Sequence, residues 1–483
     1  MKDHFDNVFE KAQEAFLFYK KVSGNEKAAF LRNIAVKLED VKMELIQVAS
    51  SESNLPEGRI SGEFARTVGQ IQLFAKLVEE GSWVEATIDH ADPERAPAPK
   101  PDLRRFLTPL GPVVVFGASN FPLAFSTIGG DTVSALAAGC PVIYKAHPAH
   151  PDTSKMVAQA IHKAIIDAAL PSGIFTHVEG GISEGQELVK HPQTKAVAFT
   201  GSHVGGKALF DLATQREEPI PVFAEMGSVN PIFTFPKKLE KDVEGYAKAF
   251  VASLTLGVGQ FCTNPGLIFI PKDLEIRFAE AVKSELDDIA AAPMLHEGIA
   301  ESYYSALQYF QGRNELEWVK VAAAKDLIKG HPALAKIKSK DWLDDNKFQQ
   351  EVFGSFALMV VYKNEEELSD IAKKLHGQLT ITIWAEEDEL QNKLYLINLL
   401  EEKCGRILYK GVPTGVEVGY AMHHGGPYPS TTDSRSTSVG VYAIKRFTRP
   451  IAFQDMPESL LPDALMESNP LEIWRMVDGE FKK

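Results

Sequence analysis

The chain has 483 residues, 45% of them hydrophobic and 24% charged, which excludes intrinsic disorder, collagen-like repeats and low complexity. At about 150 residues per domain, the length suits roughly three structural units or two large ones. Asp plus Glu (65) outnumber Lys plus Arg (51), and the net charge of −14, with no basic patch to offset it, argues against nucleic acid as a partner.

The three cysteines, Cys140, Cys262 and Cys404, are too few and too dispersed for a disulfide framework or a structural zinc cluster. The opening M-K-D-H-F-D lacks the apolar core of a secretion signal. No run of about 18 apolar residues is free of charge, so no membrane span is expected. These features together suggest a cytoplasmic protein with reduced thiols.

Residues 1 to about 84 read as helical, with apolar residues three and four apart at Ala28, Leu31, Ile34 and Leu38. From about 86 to 106 the chain is polar and Pro-rich and reads as an extended connection. Five short apolar strands follow: Gly111 to Phe116, Pro141 to Lys145, Gly173 to Val178, Ala196 to Thr200 and Val222 to Glu225. The helical stretches between them specify an α/β fold with a parallel sheet covered on both faces. A looser repeat begins after Pro236, with a helix from about 241 to 256 and strands at L-I-F-I, F-A-L-M-V-V-Y and L-T-I-T-I-W. The alternating Ser438 to Ile444 reads as a terminal strand that pairs outside its own unit.

Cys262 lies in G-V-G-Q-F-C-T-N-P-G, where glycines let the backbone approach a ligand. It reads either as an exposed nucleophilic thiol or as an inert buried one. Cys140, in A-A-G-C-P-V-I, reads as core, and Cys404 has no distinguishing context. Asn120 ends a strand at the ligand-facing edge of a parallel sheet, as an oxyanion donor or as a turn former. Glu225, in F-A-E-M-G-S, is a general base or an ion-paired glutamate. F-T-G-S-H-V-G-G-K, Phe199 to Lys207, runs from strand to helix and could cradle a phosphate. Lys145 could bind a hydroxyl or phosphate as a point charge. The pairs His147/His150 and His423/His424 have no acidic or cysteine ligands at zinc-like spacing, and no metal is expected.

In this order the motifs A-S-N-F-P, strand plus Lys145, F-T-G-S, A-E-M-G, G-Q-F-C-T and Glu351-Val352-Phe353-Gly354 resemble the aldehyde dehydrogenase superfamily over roughly residues 10 to 475. The stretches F-G-A-S-N-F-P-L-A-F-S, K-A-H-P-A-H-P and H-G-G-P-Y-P-S-T-T are similar to its NADP-linked branch, which includes α-ketoglutaric semialdehyde (2,5-dioxovalerate) dehydrogenases and a bacterial fatty aldehyde dehydrogenase. The resemblance implies a Rossmann-like cofactor domain at 1–90 and 110–235 and a catalytic domain at 236–435. It also implies an oligomerisation arm and tail at 91–109 and 436–483, in a homodimer or homotetramer. Cys262 would be the nucleophile and Glu225 the base that activates water. Asn120 and the Cys262 amide would hold the oxyanion, with His424, or its neighbour His423, near the thiol. Lys145 and Glu351 would contact the riboses of the cofactor and Gly201-Ser202 its pyrophosphate, with His147, Lys207 and Phe353 completing that site. Pro148 stands where NAD-specific relatives often carry a ribose-binding glutamate, so NADP is expected, with some NAD use. Arg66, with Arg435 as second choice, could meet a substrate carboxylate, and Phe121 and Phe125 would form an apolar wall. The implied reaction is oxidation of an aldehyde, α-ketoglutaric semialdehyde before aliphatic or fatty aldehydes, to the acid. A catalytically silent binding protein and a coenzyme A-dependent acylating enzyme are the alternatives. The chain departs from the family at Ser355, where a proline is usual, and in a short N-terminus.

Overall fold

Four helices open the chain in the computed structural model, which describes residues 2–323, 328–413 and 415–483. They span Lys2–Tyr19, Gly24–Glu39, Lys42–Ser53 and Glu57–Glu80. The second starts at a capping box, in which Ser23 accepts from the Glu26 amide while the Glu26 carboxylate accepts from the Ser23 amide. The fourth buries Ile60, Glu63, Phe64, Thr67 and Ile71 on one face, so even its core stripe carries a carboxylate.

These helices cover a five-stranded parallel sheet in the spatial order Phe175–Val178, Val142–Lys145, Val113–Phe116, Ala196–Thr200, Val222–Glu225. The strands are short, and because both faces are covered they are rich in Val, Ile, Ala and Phe. The chain enters at the central strand, lays two strands to one side, then crosses back to lay two on the other. Such a reversal opens a crevice at the carboxyl ends of the central strands. Phe116, Lys145, Thr200 and Glu225 are the last residues of the four strands around it.

A second sheet has seven strands, ordered Glu317–Lys320, Ala333–Lys338, Phe356–Tyr362, Leu267–Pro271, Ile232–Thr234, Gln378–Trp384, Cys404–Tyr409. All its pairings are parallel except that of Glu317–Lys320 with Ala333–Lys338. Of these seven, sequence patterning finds the three long apolar strands and misses the other four. Ile232–Thr234 has only three residues, and Cys404–Tyr409 interrupts its apolar run with Arg406.

A third sheet orders Thr448–Gln454, Leu103–Pro109, Thr87–Asp89, Arg475–Val477 and Glu480–Lys482. The Pro-rich connection is therefore flanked by strands, and residues near 90 and 105 hydrogen-bond with the tail. The expected strand at Ser438 to Ile444 does not form. Gly440 adopts φ 91°, and Val441–Phe447 is a 3₁₀ helix whose Val441, Ile444 and Phe447 are buried. Three-residue spacing is the 3₁₀ period, and over so short a stretch it imitates strand alternation. A strand follows directly after it, at Thr448–Gln454. Among the described residues no helix is long and apolar enough to cross a membrane.

Arg446, in that 3₁₀ turn, donates to the Asp131 carboxylate at 2.7 Å, and both side chains are nearly inaccessible. Removing one partner strands a buried charge. Arg446→Leu is expected to cost about 3 kcal/mol, read as a lower urea midpoint, and the double change with Asp131→Asn should recover part of that loss.

Candidate active site

Cys262 follows the helix Val243–Thr255 through a turn in which Gly257 and Gly259 take φ 55° and 70°. A Cβ on Gly259 would lie 2.3 Å from the Gly354 carbonyl carbon, so only glycine lets the thiol loop rest against the E-V-F-G turn. Asn230 pins the same loop from below, its side-chain amide donating to the carbonyls of Cys262 at 2.8 Å and Asn264 at 2.9 Å. The other end of that amide accepts from Ser228 and Thr380. Asn120 reaches across from the first sheet and donates to the Gln260 carbonyl at 3.2 Å, which brings the proposed oxyanion donor to the thiol loop.

The half-buried Cys262 sulfur lies 3.5 Å from Nε2 of His424. That nitrogen is 2.9 Å from Oε1 of Glu225, and both partners are buried, at 1% and 4% exposure. Geometry thus selects His424 over His423 as the residue beside the thiol. The second oxygen of Glu225 accepts from the Ser438 hydroxyl. The tail is sewn to the Glu225 strand on either side, with the Met226 amide donating to the Ser430 carbonyl at 2.8 Å and the Ala224 amide to the Thr432 hydroxyl at 2.9 Å.

Burial pushes the Glu225 carboxyl up, but the charge of His424 and hydrogen bonds from His424, Ser438 and Cys262 outweigh it, so the group lies below the ordinary carboxylate range. Burial, then the Glu225 charge and hydrogen bond, hold the Cys262 thiol well above its usual value, with Arg66 opposing weakly. In this state the sulfur is a protonated thiol that lies beside a carboxylate and an imidazole. Cys140 and Cys404 are pushed up by burial to about 11 and about 12, and each donates to a backbone carbonyl, of Phe447 and of Leu400. Among the described residues neither has a carboxylate–imidazole pair beside it.

The cofactor candidates line the crevice of the first sheet. Lys145 is buried at the end of its strand, with burial lowering its amine, and it donates to the Ala146 carbonyl at 2.8 Å. Among the described residues the Ala146 carbonyl is the hydrogen-bond partner of this amine, whose other two N–H donors suit hydroxyl or phosphate oxygens. Ser202 caps the helix His203–Thr214 by accepting from the Gly205 amide, and Gly201 bonds to the Glu225 carbonyl, so helix-start amides face the crevice. Glu351 packs on Gly227, where a Cβ would lie 2.2 Å from its carboxylate, and burial pushes its pKa up to about 7. Phe353 is half-buried against the core of the first sheet. Two candidates supply less charge than the sequence suggests. Burial, then neighbouring His150 and His296, drop His147 to about 3, so it is neutral. Lys207 is committed to the Asp211 carboxylate at 2.6 Å, one helical turn away.

Arg66 stacks over Phe125 at 5.1 Å and donates to the Val416 carbonyl, leaving Nη1 buried without a partner. Phe121 meets Phe125 and Phe261 edge-on at 5.1 Å and 5.4 Å, forming the apolar wall. Arg435 is 88% exposed and paired with Asp433, so it does not serve this site. Three residues escape sequence reasoning. Glu63 accepts from the Leu123 and Ala124 amides at 2.8 Å and 2.9 Å, fixing the turn after Asn120. Arg406 has Nε and Nη2 buried without partners and feels the charge of Cys262. Asn230 sits at φ 43°. A charged residue inside the apolar strand C-G-R-I-L-Y was the available signal for Arg406; Glu63 and Asn230 carried none beyond being polar.

A Rossmann-like parallel sheet that carries a carboxylate at one strand end, set against a cysteine from the second α/β unit and a histidine from the tail, defines an oxidoreductase of the covalent-catalysis type. The profile of the aldehyde dehydrogenase family matches residues 1–450, and the chain belongs to that family. The reaction is oxidation of an aldehyde to a carboxylic acid with a nicotinamide dinucleotide. The chain is 45% identical over 480 residues, 99% of its length and 91% of the relative's, to an α-ketoglutaric semialdehyde dehydrogenase of Acinetobacter baylyi. It is 46% identical over 481 residues, 98% of its length and 91% of the relative's, to α-ketoglutaric semialdehyde dehydrogenase 2 of Azospirillum brasilense. Among solved structures it resembles aldehyde dehydrogenase 21 of Physcomitrella patens in complex with succinate, with TM-score 0.79, 19% identity and coverage of 94% and 90% of the two chains. It also resembles the glyceraldehyde-3-phosphate dehydrogenase GapN of Methanocaldococcus jannaschii, with TM-score 0.77, 20% identity and 94% of each chain covered.

Because the Glu225 charge raises the Cys262 thiol, Glu225→Gln should shift the pH profile of Cys262 alkylation by iodoacetamide toward acid. An unchanged or alkaline-shifted profile would show that the two groups are not coupled.

Proposed function

We propose that the protein oxidises α-ketoglutaric semialdehyde to 2-oxoglutarate, preferring NADP and using NAD to a lesser extent. The observation that carries the reading is the Cys262–His424–Glu225 cluster set against Asn120, in a chain 45% identical over 480 residues to a dehydrogenase named for that substrate.

Cys262 loses its proton to the adjacent base, which passes it to solvent, and adds to the aldehyde carbon, forming a carbon–sulfur bond. The oxyanion that results is met by Asn120 and the Cys262 amide, and one such donor is worth about 100-fold in rate. The dinucleotide, when bound, supplies the hydride acceptor for conversion of the thiohemiacetal to a thioester. Glu225 then takes a proton from water, whose oxygen attacks the thioester and releases the acid. His424 holds one Glu225 oxygen and Ser438 the other, so this base is oriented from both sides. A base already present for water favours hydrolysis over acyl transfer to coenzyme A.

Lys145, Gly201 and Ser202 hold the dinucleotide in a domain formed by residues 1–90 and 110–235, and Glu351 and Phe353 meet it from the facing unit. Residues 236–435 form the catalytic domain. Residues 91–109 and 436–483 form an arm through which homodimers or homotetramers assemble in the cytoplasm. The preference for NADP rests on Pro148, which presents no carboxylate to repel a 2′-phosphate, and on the unspent donors of Lys145. His147 adds no charge, and Lys207 would first have to leave Asp211. The far carboxylate of the substrate meets Arg66 and Arg406, both of which keep buried N–H groups free of partners. The aromatic wall of Phe121, Phe125 and Phe261 favours a second reading, in which aliphatic aldehydes are also oxidised.

Cys262→Ala is expected to abolish NADPH formation while dinucleotide binding persists, and Asn120→Ala to lower kcat by about 100-fold. An aldehyde panel with both cofactors should rank α-ketoglutaric semialdehyde above hexanal in kcat/KM. Arg66→Leu should narrow that gap by raising KM for the semialdehyde alone. A strong preference for hexanal, or for NAD, would contradict the corresponding part of the proposal.

A further inference from the structure

The sulfur of Cys262, Nε2 of His424 and a carboxylate oxygen of Glu225 all lie within 4.8 Å of one another. We propose that these three side chains form a zinc-binding site, and that a divalent zinc ion bound there reversibly blocks the thiol. The metal binding stands apart from the function proposed above; only the statement that it stops turnover rests on that reading.

Zinc takes sulfur at about 2.3 Å and nitrogen or oxygen at about 2.0–2.2 Å in a tetrahedron, which places neighbouring ligand atoms about 3.3–3.7 Å apart. The Sγ–Nε2 distance is already 3.5 Å, and the Nε2–Oε1 distance of 2.9 Å needs to widen by only a few tenths of an ångström. One thiolate, one imidazole and one carboxylate make a borderline-soft donor set, suited to zinc and poor for magnesium or calcium. Cys262 is the one ligand open to the cleft, so the fourth position falls to water. On binding, Zn–S, Zn–N and Zn–O bonds form, the S–H proton goes to solvent, and any proton on Nε2 of His424 goes with it. No electrons are transferred. The ion replaces the proton that His424 and Glu225 share and supplies the positive charge a buried thiolate lacks.

Two features limit affinity. Nδ1 of His424 is buried without a partner, so nothing orients the ring from behind, and loss of such a support typically weakens a metal site about 10–100-fold. Arg66 and Arg406 both couple to Cys262 and oppose a cation, while Glu351 couples in the favourable sense. The site is therefore a reversible block, not a resident structural metal. The sequence-based expectation of no metal considered only histidines close in the chain, whereas these ligands come from three distant segments.

The test uses the metal-free full-length protein. Zinc is titrated against a chromophoric chelator, cobalt is added as a spectroscopic stand-in, and iodoacetamide labelling of Cys262 is mapped by mass spectrometry. Wild type should bind one zinc, show a thiolate-to-cobalt charge-transfer band, and resist alkylation until EDTA is added. Cys262→Ser should lose the band, and His424→Asn and Glu225→Gln should each weaken zinc by about tenfold or more. Full alkylation of wild-type Cys262 in excess zinc would overturn the proposal. So would zinc binding that survives all three changes but is lost in His147→Gln, which would place the ion at the His147–His150–His296 cluster. If wild type binds zinc as described yet oxidises no aldehyde, the function falls and this site stands.

Discussion

A carboxylate buried as deeply as that of Glu225 persists in charged form only because a partner meets each of its oxygens, His424 on one and Ser438 on the other. Both partners lie some two hundred residues further along the chain, on a segment that would otherwise be an unremarkable polar tail. The rest of the architecture follows from bringing them there. The tail lies against the last strand of the first sheet through the Glu225–Thr431 bridge and the bonds of Met226 and Ala224. It then turns through a 3₁₀ helix sealed by the Arg446–Asp131 pair before adding a strand to the third sheet.

Electrostatically the site is a graded set of groups. His424 holds Glu225 low, burial and then Glu225 hold Cys262 high, and burial, opposed by a hydrogen bond from the Ser228 amide, places Glu351 at about 7, where its charge changes near neutrality. A thiol poised this way is unreactive until something removes its proton or neutralises its neighbours. Since the thiolate is the reactive form, a raised thiol is expected to alkylate and oxidise slowly. The arrangement also makes the same three side chains a natural chelate once a divalent cation competes with the proton.

Much of the fold was legible because it is written in strong local signals. The five strands of the first sheet are short runs rich in valine, isoleucine, alanine and phenylalanine, separated by helical stretches, and that alternation implies a parallel sheet. The reactive candidates Cys262, Glu225 and Asn120 were legible from glycine-rich loops and strand ends, and six motifs in one order tied them to a family. What stayed hidden depends on contacts between distant segments. Ser438 to Phe447 has a pattern shared by a strand and a 3₁₀ turn, and only burial against the helix Gly130–Ala138 decides between them. The assignment of His424 over its neighbour needs the position of Glu225. The roles of Glu63, Asn230 and Arg406 are set by what surrounds them, not by their sequence context. The neutrality of His147 and the engagement of Lys207 likewise follow from packing and a helical-turn neighbour.

The separation of 162 residues between Cys262 and His424 also has a consequence for biosynthesis. At roughly 5–20 residues per second, a ribosome exposes the cysteine roughly ten to thirty seconds before the histidine that will sit beside it. Throughout that interval the nascent thiol lacks the carboxylate–imidazole pair and behaves as an ordinary, unshielded one. The three-group cluster therefore assembles late, when the last sixty residues dock, and a prematurely terminated chain would carry the thiol without the histidine that meets it.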